Sequence, residues 1–212
     1  MRTTPRFFSC LASILVFTFC CACALYAQAP ATASAPATPG ASILPMVQRF
    51  EANFMAAAQA MPADKYSFAP SDADVFKAGS PAKFATVRTF AQQITHVTGE
   101  ALRNLAPFGV KQDTGVDLKT LDGLTDKEQI LKALKASFDY QDKVVASITP
   151  ENAFAPTGPR GSSVVSMLVA VMNDDGDHYG QMVEYLRMNG IIPPSTERQL
   201  QQQAKPAAAP AK

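Results

Sequence analysis

The chain has 212 residues, 47% of them hydrophobic and only 17% charged, with 19 Lys and Arg against 18 Asp and Glu. That is enough apolar material for one cored domain with appendages. A formal charge of +1 is too small to hold nucleic acid by a basic patch or to draw the chain onto an anionic membrane, so nucleic acid is not an expected partner.

Residues 1–29 read as an export signal. Arg2 and Arg6 form a positive start, Phe7 to Leu25 is an almost uncharged apolar run, and Ala27-Gln28-Ala29 offers small residues around a cleavage point. A run of this length also allows an uncleaved anchor, and a lipoprotein would use one of its cysteines. All four cysteines (Cys10, Cys20, Cys21 and Cys23) fall within this segment. The exported chain would therefore carry no disulfide, thiolate ligand or cysteine nucleophile. Removing Arg2 and Arg6 leaves 17 basic against 18 acidic residues. The expected location is periplasmic or secreted, with no membrane span once the signal is gone. Residues 30–41 (PATASAPATPGA) contain no large apolar side chain and are expected to form a disordered linker, with a similar tail at 197–212. The foldable unit is 42–196.

Helical spacing of apolar residues marks four elements. The first follows Ser42, with Leu44, Val47, Phe50, Phe54 and Met55 in register, and stops at Pro62. The second is expected from Ser80 as cap and Pro81 at the first helical position. It continues through Phe84, Val87, Phe90, Ile94, Val97, Ala101 and Leu105 to Pro107. The third is expected from a capping box at Thr125-Asp126-Lys127-Glu128 and runs to Pro150, through Ile130, Leu134, Phe138, Val144 and Ile148. The fourth follows Ser162 and ends at Asn189-Gly190. No alternating strand pattern occurs, so the fold class is all-α, an antiparallel up-and-down four-helix bundle. The long first and second connections are candidates to cover a site.

Only two histidines are present. His96 falls nearly opposite the apolar stripe of its helix, which predicts a solvated side chain. His178 lies on the shoulder of the fourth helix, and Asp174 stands one turn before it. Residues four apart can present ligands to one ion, although the same pair also serves as a surface hydrogen bond. Asn173-Asp174-Asp175-Gly176-Asp177 suggests a calcium loop but fails on spacing. With Gly176 in sixth place, Val171 and Met182 would fall where oxygen ligands are needed. Glu184 and Tyr185, further along the helix, are candidate helper groups. Gly176 in mid-helix costs about 1 kcal/mol relative to Ala. A serine nucleophile is unsupported, because nothing orients a Ser–His pair.

The string Asp177 to Pro194 (DHYGQMVEYLRMNGIIPP) resembles the last helix of the DinB-like (DinB/YfiT) superfamily of metal-binding four-helix bundles. Met61 to Pro70 is similar to that family's first inter-helix loop, and Phe90 to Val97 to its second helix. Together the three segments place the resemblance over roughly residues 44–195. It implies one ligand histidine on the second helix, matched by His96, and a His-x-x-x-His pair on the fourth, matched by His178 at its end. Asp174 stands at the middle position, where the family has histidine. The implied site is two histidines and one carboxylate around a divalent ion, whether zinc, nickel, iron or manganese. By the same resemblance, the chain would be a metal-dependent transferase or hydrolase that activates a thiol or water on a small-molecule substrate. The alternative is a non-catalytic exported module, binding a small ligand or serving structurally, with a degenerate site. A homodimer through exposed faces fits either.

Overall fold

In a computed structural model, residues 38–71 and 87–204 are described, all within one unit, Pro36–Lys212. The expected signal, most of the linker (30–37), the Ser80-Pro81 helix start and the end of the tail (205–212) lie outside them. Among the described residues the protein is all-α, with no strand. The helices are α1 (Pro39–Ala60), α2 (Phe90–Leu105), α3 (Lys127–Ala146), α4 (Val164–Met188) and α5 (Pro194–Ala204).

Helix α1 begins earlier than composition suggests. Thr38 caps it, its hydroxyl accepting from the Ala41 N–H at 3.1 Å, and Pro39 fills the first turn. Gly40 is required by close approach: its N–H donates to Ile148 O at 3.1 Å, and an added Cβ would lie 2.3 Å from Val145 O. Pro39 to Ala41 are therefore helix rather than linker. Residues 87–89 precede α2 outside the helix, with Thr89 extended, and the start described is Phe90, capped by a Thr89–Gln92 box. Asp126, not Thr125, caps α3 through the Gln129 N–H at 2.9 Å, because the Asp side chain reaches the amide of the third helical residue directly. Helix α4 ends as expected. Gly190 at φ 73 sends its N–H to Arg187 O, and Ile191 donates to Leu186 O. The chain then forms α5 where a tail is expected from 197. Its start is held to α4 by the Tyr179 hydroxyl on Ser195 Oγ at 2.9 Å, and Arg198 hydrogen-bonds Asn53 of α1.

Two apolar clusters hold α1 to α4 together. One contains Phe54, Met61, Phe90, Ile94, Leu134, Phe138 and Met182; the other contains Val47, Leu102, Leu105, Val144, Val145, Leu168 and Val171. Each helix meets them in an order that sets its direction. Helices α1 and α4 pass from the second cluster to the first, whereas α2 and α3 pass from the first to the second. Lys127 at the head of α3 donates to Gln59 O and Met61 O at the foot of α1, both at 2.8 Å, which fixes those two helices antiparallel. The neighbours α2 and α3 thus run the same way, where simple up-and-down alternation is expected. The physical reason is the connection 106–126. Phe108, Val110, Val116 and Leu118 pack on the second cluster and Leu124 on the first, so this segment carries the chain back along the helices rather than over a site.

Between the two clusters three of the helices contribute to a polar layer. Glu51 on α1, Gln141 on α3 and Asp175 on α4 are all buried there. The site lies beside this layer, between α2 and α4.

Candidate metal centre

Helix α2 is central, packed by α3 on one side and α4 on the other, so 11 of its 16 residues are buried. That is why His96 is not solvated as its position on the apolar wheel predicts: α4 covers the polar shoulder of α2. Its side chain is 22% exposed, against 5% for His178 and 40% for Asp174. The helix spacing from 174 to 178 aims both α4 groups at α2, and His96 meets them. Its ring centroid is 4.6 Å from that of His178.

The geometry fits a small divalent ion. His96 Nε2 is 3.3 Å and His178 Nε2 3.6 Å from Asp174 Oδ2, and one ligand atom from each residue lies within 4.8 Å of the others. Ligand bonds of about 2.1 Å at tetrahedral angles put neighbouring donor atoms roughly 3.4 Å apart. Asp174 Oδ2 is buried without a hydrogen-bond partner, an orphaned acceptor at the point where a cation would sit. His96, Asp174 and His178 are the only group of three or more such residues so placed among the described residues, and they can hold a metal ion. Zinc, nickel, iron and manganese all accept two imidazoles and a carboxylate.

A chain of hydrogen bonds orients His178. Asp177 can only accept, so Gln181 must present its amide N–H₂, which donates to Asp177 Oδ2 at 2.8 Å. The carbonyl of Gln181 then accepts from Gln93 Nε2 at 2.8 Å. That leaves Gln93 Oε1 facing His178 Nδ1, whose N–H donates to it. The proton of His178 is thereby held on Nδ1, and Nε2 keeps its lone pair toward Asp174. Burial pushes the His178 pKa down, Asp174 pulling it back up and His96 and Arg88 lowering it further, which favours the neutral, ligating form.

Of the two helper candidates, Tyr185 joins this network and Glu184 does not. The Tyr185 hydroxyl is 3.4 Å from Gln93 Nε2 and donates to Arg88 O at 3.1 Å. Glu184 is exposed and paired with Arg187 on its own helix. Gln93, Gln181 and Arg88 are not among the residues that sequence reasoning singles out. For Gln93 a signal exists: with Phe90 and Val97 it makes an i, i+3, i+7 set, so it is a polar residue on an apolar stripe. Asp175, noticed only within the rejected calcium pattern, is fully buried with both oxygens unpartnered. Burial, then Asp174 and Glu100, push its pKa up to about 8.

Gly176 is uninterrupted helix. Nothing lies within 4 Å of a Cβ added there or at Gly180, and both line an open groove with Val87, Gln181, Tyr185 and Met188. No helix among the described residues is long and apolar enough to cross a membrane. Comparison with protein-family models and with curated proteins yields no match.

Proposed function

We propose that this chain is an exported, DinB-like four-helix protein in which His96, Asp174 and His178 hold one divalent ion, and that it is a metal-dependent transferase or hydrolase acting on a small molecule. The observation that carries this reading is the convergence of two imidazole Nε2 atoms on the orphaned Asp174 Oδ2, with His178 already in its ligating tautomer. When bound, the ion supplies a Lewis acid that brings the pKa of a water or thiol toward neutrality. The protein's own part is positional. Gln93 holds the His178 ring, Tyr185 anchors the backbone at Arg88, and Gln181 and Tyr185 of the same network line the open groove along Gly176 and Gly180. The all-α class and the meeting of His96 on α2 with Asp174 and His178 on α4 support the family reading. Export rests on the Arg, apolar, Ala-Gln-Ala order of residues 1–29.

A second reading, a binding module without turnover, is favoured by one observation. Tyr185 is occupied by Arg88 O and Gln93, and Glu184 by Arg187, so neither stands free as an acid or base. Elemental analysis of the purified protein against His178→Ala tests the site: close to one ion per chain, lost in the variant, is expected. Equal, negligible metal in both would end the metal reading. Turnover of thiol-transfer or hydrolysis substrates that disappears on chelation separates enzyme from binding module.

A further inference from the structure

The two histidines of the site carry their protons on opposite nitrogens. His178 has its proton on Nδ1, as the chain from Asp177 dictates. At His96 the corresponding nitrogen faces a group that can only donate: Arg88 Nη2 lies 3.3 Å from His96 Nδ1. A guanidinium has five N–H donors and no acceptor. His96 Nδ1 must therefore be the lone-pair nitrogen, and the single proton of the neutral ring is on Nε2. That nitrogen is the one facing Asp174 Oδ2 at 3.3 Å. His178 is set to ligate, whereas His96 turns a protonated nitrogen toward the same point, with Asp174 Oδ2 left without a hydrogen bond.

Histidines that hold a metal usually donate their other N–H to a carboxylate, a carbonyl or water, which fixes the tautomer and raises the basicity of the ligating nitrogen. Gln93 does this for His178. Arg88 does the reverse for His96, and its positive charge would also face a developing N–H dipole once Nδ1 is protonated.

We propose that Arg88 is a latch on the metal centre: it holds His96 with the proton on Nε2, the nitrogen that faces Asp174, so that an ion enters only as the guanidinium lets go of Nδ1. The inference rests on His96, Asp174 and His178 being the ligand set. Protons balance in the exchange, since the one leaving Nε2 is replaced by one taken up on Nδ1. Release requires no backbone movement. Arg88 is exposed, and its carbonyl stays fixed by the Tyr185 hydroxyl at 3.1 Å. The side chain alone swings away.

The test uses the full chain and two readouts. The first is imidazole ¹⁵N NMR of the metal-free protein at a pH where both rings are neutral. His96 is expected with protonated Nε2 and His178 with protonated Nδ1; Arg88→Ala should move His96 toward Nδ1–H, and Arg88→Lys, which keeps a donor, should not. The second is titration with Co²⁺ or Zn²⁺ in competition with a chromophoric chelator. Arg88→Ala, and Arg88→Gln with its acceptor oxygen, should bind about 10- to 100-fold more tightly than wild type, the range that outer partners of ligating histidines command. A His96 already protonated on Nδ1 in the wild type overturns the latch and leaves the ligand set standing. So does the expected tautomer with unchanged affinity in Arg88→Ala. If neither wild type nor Arg88→Ala takes up an ion, the ligand set fails and the latch with it.

Discussion

Replacing Glu51 by Gln should stabilise this protein at neutral pH and leave it unchanged in acid. Glu51 is only 6% exposed on α1. It faces Gln141 and Asp142 of α3 and Asp175 of α4, and Gln141 Nε2 donates to its Oε1 at 3.0 Å. Burial first, then repulsion from Asp142, push its pKa from 4.5 up to about 8. Asp142 Oδ1 is buried with no partner, ready to accept from the protonated acid. The sign follows from linkage. With the folded pKa above the unfolded one, the contribution of Glu51 is fully present below pH 4.5 and is lost as pH rises to about 8. Each pH unit in that window costs about 1.4 kcal/mol, so at pH 7 the wild type is lower by about 3 kcal/mol than in acid from this group alone. A glutamine mimics the neutral acid, accepting from Gln141 and donating to Asp142. Urea unfolding of both chains from pH 4.5 to 8.5 should give curves that meet at the acid end and separate upward. The other titrating groups, Asp175 included, are common to both chains and cancel to first order. Parallel curves, or a wild type the more stable at pH 7.5, would refute the argument that Glu51 is buried as the acid.

Gln93→Leu removes the acceptor for His178 Nδ1 and should weaken Zn²⁺ or Co²⁺ binding about 10- to 100-fold, read by chelator competition; unchanged affinity would show that Gln93 does not position the ligand. Gly40→Ala places a methyl 2.3 Å from Val145 O and should lower stability by about 1–3 kcal/mol, the range for overpacking a filled site. A thermal or urea unfolding curve matching wild type would mean that the head of α1 is not seated on α3.

The helical class was legible because its signals are local. Apolar residues three and four apart, Pro62 and Pro150, and the Asn189-Gly190 stop are written within a few residues of where they act. Boundaries failed where a local signal was outweighed by composition. Thr38-Pro39 carries the same cap-then-proline message as Ser80-Pro81, yet it is surrounded by Ala, Pro and Thr that read as linker. What seats it is Gly40 against Val145 and Ile148, more than 100 residues away, and no local pattern announces that. Helix direction was illegible for the same reason, since the return path of 106–126 is set by where Val110, Val116, Leu118 and Leu124 find apolar partners. Asp174 and His178 were visible as a pair four residues apart, a spacing that a surface hydrogen bond shares, so the spacing alone did not separate the two roles. His96 came only through resemblance, because its place on the wheel points away from its own apolar stripe and only the neighbour α4 makes it part of a site.

The residues that orient the ligands are also those that fix α2 against α4. A slip of one helical turn between them would move His96 by about 5.4 Å relative to Asp174 and leave apolar contacts such as Ile94 and Met182 easy to re-form, since dispersion is indifferent to which methyl meets which. Polar partners are not indifferent. Gln93 must find Gln181 and His178, and the Tyr185 hydroxyl must find Arg88 O; one turn away each would be a buried polar group without a partner, at about 1–3 kcal/mol apiece. The network thus discriminates between registers that the core tolerates almost equally. A loss of ion binding in Gln93→Leu then has two separable parts. If only the His178 tautomer is lost, α2 and α4 keep their register, and the ring contact between His96 and His178 survives in nuclear Overhauser data. If the register is lost as well, that contact disappears with it, and the network is holding the fold in place as much as the metal.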